Sequence, residues 1–126
     1  MTKIAFLMDP IETVAIKKDS TLAMIRASQL RGMDVYYCRQ EDLVISDNRV
    51  CAYLSRLALV SRFAEALDPA SVNNGEDSWF SLASEELMPL STMDIVMMRK
   101  DPPFDMEYIY TTYLLERAES EGVRVV

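Results

Sequence analysis

Ile4-Ala5-Phe6-Leu7-Met8 is a run of five apolar residues that leads straight into Asp9-Pro10-Ile11. A run with no polar alternation is what a strand covered on both faces requires, because every side chain must then avoid water. Asp19 or Ser20 can cap a helix reaching about Arg31, with Ala23, Ala27 and Leu30 on one face and Gly32 as its C-terminal stop. Met33-Asp34-Val35-Tyr36-Tyr37-Cys38 then reads as a second strand parallel to the first. Strand, helix and parallel strand make a βαβ unit, for which the right-handed crossover is expected.

The same alternation returns near the end of the chain. Met93 to Met98 is another apolar strand, followed by Arg99-Lys100-Asp101-Pro102-Pro103-Phe104-Asp105. A helix is predicted from about Asp105 to Glu121, with Met106, Ile109, Tyr110, Tyr113, Leu114 and Ala118 at helical spacing and Tyr113 expected inside. Asp105 is its expected N-cap, Gly122 ends it, and Val123-Arg124-Val125-Val126 opens a further strand. Between the two halves, Leu43 to Ile45 and Val50 to Leu59 read as strands around the turn formers Ser46-Asp47-Asn48-Arg49, which predicts a β-hairpin. Residues 61 to 92 have no steady period: Asp68-Pro69, Asn73-Asn74-Gly75 and Met88-Pro89 interrupt it. They are read as a loop pinned by Trp79 and Phe80.

The chain has 126 residues, half of them apolar and 26% charged, which fits one globular domain over residues 1–126 with a modest core. A formal charge of −7 without a basic stripe argues against nucleic acid as a partner. No signal-peptide run and no apolar stretch of about 18 residues occurs, so the expectation is a cytoplasmic protein with no membrane partner. Cys38 and Cys51 are then expected as reduced, structural thiols. With no histidine, a zinc site and Ser-His or Cys-His catalysis are excluded, and neither a metal ligand nor a catalytic residue is assigned. Gly32, Gly75 and Gly122 stand singly, so no phosphate loop can be built. The nine methionines read as core filler.

Function is sought where charge follows an apolar strand, because an open α/β sheet binds ligands outside the carboxyl ends of its strands. Two loops qualify. Lys17-Lys18-Asp19-Ser20-Thr21 follows the first strand, and Arg99 to Asp105 follows the late one. The candidate substrate-binding residues are Lys18, Asp19, Ser20, Arg99 and Asp101. Lys18 and Arg99 would hold an anionic substrate, Arg99 with two parallel N–H bonds. The helix N-terminus at Ser20 would receive a carboxylate. Each also has a plain structural explanation. Ser20 is a helix cap, Arg99 an ion-pair partner of Asp101 or Asp9, Asp9 the closer of its own turn, and Pro102-Pro103 a scaffold.

The segments Met8-Asp9-Pro10-Ile11, Lys17-Lys18-Asp19-Ser20 and Met98-Arg99-Lys100-Asp101-Pro102-Pro103-Phe104-Asp105 resemble the N-terminal domain of the prokaryotic glutathione synthetases, in order and in separation. The resemblance implies a three-layer Rossmann-like domain, of the kind that precedes an ATP-grasp domain, with a mainly parallel sheet and a β-hairpin insertion. It implies an ATP-dependent ligase that joins glycine to γ-glutamylcysteine through an acyl phosphate, with this domain as one wall of the substrate cleft. ATP and Mg2+ would be bound by the ATP-grasp domain, which is expected to follow Val126, so the isolated chain is expected to be inactive. Self-association into a homo-oligomer is compatible with this reading. A stand-alone, non-catalytic binding or oligomerisation module of the same fold is the alternative. A phosphoacceptor receiver domain fits poorly, because Asp9 stands beside a proline where receivers need a pair of acids.

Overall fold

The computed structural model of the chain describes residues 2–11, 20–59, 80–99 and 105–126. The run at residues 4–8 lies in β1 (Lys3–Met8), where Ala5, Phe6 and Leu7 have no exposed surface. Helix α1 (Ser20–Leu30) leads to β2 (Asp34–Cys38), with Gly32 at φ +79 in the left-handed region where a helix stop favours glycine. A 3₁₀ turn (Gln40–Asp42) follows, then β3 (Leu43–Ser46) and the long β4 (Arg49–Leu59). After β5 (Phe80–Leu82), β6 (Glu86–Pro89) and a second 3₁₀ turn (Leu90–Thr92) come β7 (Ile95–Arg99), α2 (Met106–Ser120) and the short β8 (Arg124–Val125).

The strands form one sheet in the order β3-β4-β2-β1-β7-β8, with β5 and β6 both paired to β4. β1 runs parallel to β2 and to β7, and β7 to β8. The four pairings made by β4 are all antiparallel. The fold is therefore α/β, but the expected mainly parallel sheet is corrected to a mixed one. The reason is local. Asp47 (φ 50) and Asn48 (φ 63) form a two-residue turn of left-handed backbone, which suits the twist of a hairpin and can only join antiparallel strands. β4 then runs on for eleven residues and imposes its direction on every partner it meets.

Alternation along β1 separates two cores. Ile4, Phe6 and Met8 pack with Leu22 and Ile25 of α1, with Val35 and Tyr37, and with Leu57 and Leu59 of β4. Ala5 and Leu7 face the other way, toward Leu115 and Ala118 of α2 and toward Val50, Ala52, Leu54, Leu90 and Val96. One helix thus covers each face of the central strands. The Leu59 N–H donates to Gln29 Oε1 at 2.7 Å, which ties the end of β4 to α1.

Several finer expectations change. In α1 the core face is Thr21, Leu22, Ile25 and Ser28, while Ala23, Ala27 and Leu30 share the exposed face. In α2 the buried stripe is Thr111, Leu115 and Ala118, and Tyr113, expected inside, is 63% exposed. Met106, Ile109 and Tyr110 are exposed with it. Met88-Pro89, read as an interruption, ends strand β6, with Pro89 opposite Cys51. Phe80 packs against the α1-side core as expected of a pin, whereas Trp79, Asp68-Pro69 and Asn73-Asn74-Gly75 lie outside the described residues. No helix of the described residues is long and apolar enough to cross a membrane.

Candidate functional site

The site is built from the carboxyl ends of three parallel strands. Register pairs Leu7 with Cys38 and Met8 with Arg99, so β1, β2 and β7 finish at one rim. From β1 the chain passes through α1 to β2 on one side, and from β7 through α2 to β8 on the other. The crevice between β1 and β7 is thus the point at which the winding reverses, where open α/β sheets hold ligands.

Arg99 is the last residue of β7 rather than the first of the loop, and its guanidinium Nε–H donates to Thr21 Oγ1 at 3.2 Å. Thr21 lies in the first turn of α1 and is buried. The end of β7 and the start of the helix that follows the first charged loop are therefore in contact, 78 residues apart in sequence. Ser20 opens that helix, so its backbone stands at the same rim. Lys18, Asp19 and Asp101 lie outside the described residues, as do Pro102 and Pro103. The loop after β1 is also anchored. Ile11 is fully buried, and its N–H donates to the Tyr37 hydroxyl of β2 at 3.1 Å.

A cavity of about 240 Å³ opens beside this crevice, lined by Met8, Asp9 and Pro10 at the end of β1, Arg39, Gln40 and Glu41 after β2, and Asp105 and Glu107 at the start of α2. Asp105 caps α2 as expected, one carboxylate oxygen accepting the Tyr108 N–H at 2.8 Å. The Arg39 guanidinium lies 3.3 Å from Glu41 and 3.6 Å from Asp42, and Asp42 also accepts the Arg39 backbone N–H at 2.8 Å. Asp42, more than Glu41, holds Arg39 firmly protonated. Gln40 is only 9% exposed, and its amide oxygen has no hydrogen-bond partner. Sequence reasoning passed over Arg39, Gln40 and Glu41. Their one signal was position, since they follow a parallel strand as Asp9 does.

The cysteines are free and buried, and burial, with Asp42 nearby, pushes the Cys38 thiol well above its ordinary range. Such a thiol stays protonated and inert, which suits a packing role. Among the described residues no group of three or more His, Cys, Asp or Glu side chains is placed to hold a metal ion.

Fold and rim together define an α/β domain with a mixed sheet, in which the end of β7 meets the first turn of α1 at the carboxyl ends of the parallel strands. Residues 2–126 match the family model described as prokaryotic glutathione synthetase, N-terminal domain, and the chain belongs to that family. It is 43% identical to a glutathione synthetase of Pseudomonas putida over 98% of its own length and 35% of the relative's. It is 42% identical to that of Shewanella oneidensis and 39% identical to that of Escherichia coli K12, in each case over the whole chain and 36% of the relative. The chain thus spans about a third of the length of the curated relatives it matches.

Proposed function

We propose that this chain acts as the substrate-side domain of a cytoplasmic, ATP-dependent ligase that joins glycine to γ-glutamylcysteine. The observation that carries this reading is the contact between Arg99 and Thr21, because it brings a cation at the end of β7 to the N-terminus of α1. The positive end of the helix dipole favours a carboxylate there, and the guanidinium is a planar fork of donors. In the linear sequence Lys18, Asp19 and Ser20 lie directly before Thr21, and Asp101 two residues after Arg99, so all five proposed substrate contacts belong to these two loops.

The chain's own part in such a reaction is to bind, orient and keep dry. An acyl phosphate survives only where water is excluded, and a bound carboxylate is useful only if its neighbour is aimed at the reacting centre. ATP and Mg2+ find no evident place among the described residues, where no group of three or more acids is set to hold a metal ion, and the three isolated glycines of the sequence offer no phosphate loop. They are assigned to a further ATP-grasp domain of the ligase.

The test is steady-state kinetics on the full-length ligase that carries this domain. ADP release should require both γ-glutamylcysteine and glycine. Lys18→Ala and Arg99→Ala should each raise the dipeptide KM by about tenfold to a hundredfold, the worth of a charge-assisted hydrogen bond, while the ATP KM stays within a factor of about two. An equal rise in both KM values would place these residues on a different ligand.

A further inference from the structure

We propose that the exposed apolar stripe on the first two turns of α2 is the docking face for the chain that follows Val126 in the full-length ligase, seated there as an amphipathic segment with basic margins. The existence of that further chain rests on the ligase reading above. The geometry of the stripe does not.

Met106, Ile109, Tyr110 and Tyr113 are between 41% and 63% exposed. Their spacing of three, four and seven residues places them in one row along the helix. Beyond them the same face turns polar at Glu116, Arg117 and Ser120, so the apolar row is confined to the first half of α2. The opposite face already packs on the sheet through Leu115 and Ala118. Four large side chains held half out of water leave on the order of 400 Å² of apolar surface, the size at which a patch on a monomer marks an interaction site.

The path of the chain names the occupant. β8 runs parallel to β7, and Val126 continues the pairing: its N–H donates to the Val96 carbonyl and its own carbonyl accepts the Met98 N–H, both at 2.9 Å. Residue 126 therefore stands at the rim where β7 ends, beside the neighbour of Arg99. α2 starts at that same rim, because it carries the chain back from β7 to β8, and it packs against β8. The apolar half of α2 is accordingly the half that lies nearest residue 126. The chain spans about a third of the relatives it matches, and its family is their N-terminal domain, so in the ligase the greater part of the protein sets out from beside the stripe. About six extended residues span roughly 20 Å, enough to climb from a sheet to the outer side of a helix packed on it.

A second copy of the chain fits less well. Two stripes of this size would bury about 800 Å² in total, short of the roughly 1,200 Å² at which specific dimers begin. Contacts between domains of one chain start at about 600 Å², because the tether supplies the effective concentration. Charge points the same way. Glu107, Glu116 and Glu119 border or extend the stripe, and Arg117, the cation of that helix, is held by Asn48. With a formal charge of −7 on the chain as well, face-to-face pairing of two copies sets like charges together. A segment with apolar residues at helical spacing and Lys or Arg at its margins answers both the stripe and its acidic border.

The experiment uses the full-length protein with the photo-reactive residue p-benzoylphenylalanine in place of Tyr110, and with the same residue in place of the exposed Tyr53 of β4 as the background. After illumination the cross-linked peptides are mapped by mass spectrometry, and a mixture of light and isotopically heavy protein shows whether both ends come from one chain. The Tyr110 position should cross-link within one chain to a single segment beyond residue 126. Met106→Asp should lower that yield about tenfold and Tyr113→Ser about threefold, both at exposed positions that leave the core intact. Cross-links that mix light and heavy protein overturn the proposal in favour of a second copy. No cross-link above the Tyr53 background, or a yield unchanged in either variant, overturns it outright. Failure of the ligase reading would look different: the unmodified protein would release no ADP with dipeptide and glycine, and the cross-link map would still decide the docking face.

Discussion

Replacing Thr21 by valine tests whether Arg99 is merely near the rim or is held there for use. The substitution keeps the shape of a buried side chain in the first turn of α1 and removes only the hydroxyl that accepts the Arg99 Nε–H at 3.2 Å. A hydrogen bond to a charged group is worth about 1.5–3 kcal/mol when buried. This one is at the long end of the range, and Arg99 keeps some solvent contact, so about 1 kcal/mol is the appropriate figure. If that energy serves to aim the guanidinium, Thr21→Val should raise the dipeptide KM of the full-length ligase about fivefold. It should leave the ATP KM unchanged and lower global stability by no more than about 1 kcal/mol in urea titrations. The decisive measurement is the double-mutant cycle. Once Arg99→Ala has removed the guanidinium, adding Thr21→Val should cost clearly less in KM than it does alone, because the hydroxyl accepts from Arg99. Additive losses would refute the argument, and so would a Thr21→Val enzyme with wild-type KM beside a crippled Arg99→Ala.

Two further outcomes follow from the same structure. Desolvation, then Asp42, raises the Cys38 thiol above its unfolded value, so its contribution to stability is complete below the ordinary thiol pKa and is lost as pH climbs past it. The stability gap between wild type and Cys38→Ala should therefore narrow from about pH 8 upward by as much as about 1.4 kcal/mol per pH unit, whereas a constant gap would mean that the thiolate is tolerated in place. At the hairpin, Asn48 holds φ 63 and its carbonyl and side-chain oxygens accept from the Arg117 guanidinium at 2.7 and 3.0 Å. Asn48→Val should cost about 1–2 kcal/mol and Asn48→Gly well under 1 in urea denaturation, because only the first pays the left-handed strain; equal costs would assign the effect to Arg117 instead.

The parts of the fold that could be read in the sequence are those whose signal is local. β1 is buried on both faces and so shows no alternation, the Asp47-Asn48 turn carries its own backbone preference, and Asp105 announces α2 by capping it. The parts that escaped depend on partners distant in sequence. β5 and β6 are three and four residues long, contain no buried residue, and exist because β4 offers them an edge. No periodicity can register a strand whose side chains are not sorted by burial. The helices mislead for the opposite reason. α2 has apolar residues on two faces, and the larger set, Met106, Ile109, Tyr110 and Tyr113, is the exposed one, while a stripe as modest as Thr111, Leu115 and Ala118 faces the core. Hydrophobicity ranks the faces wrongly wherever small residues allow the closest approach to a sheet.

The same distinction explains which part of the site the sequence exposed. Ligand loops can gather at one rim only where neighbouring strands end on the same side, and that holds for β2, β1 and β7 but not for β4 and the strand it meets at each antiparallel pairing. The mixed sheet thus confines the site to its parallel half and makes the antiparallel half a buttress, with β4 packing Leu57 and Leu59 under α1 and Ala52 and Leu54 on the opposite face. Within the parallel half the two helices sort the charge. Arg99 meets the N-terminus of α1, the acidic lining gathers at the start of α2, and the winding reversal between β1 and β7 sets the two side by side. A charged tract after a strand betrays the first of these from sequence alone. The second is an assembly of single residues from three strand and helix ends, with Gln40 as its least conspicuous member, and only the register of the sheet brings them together.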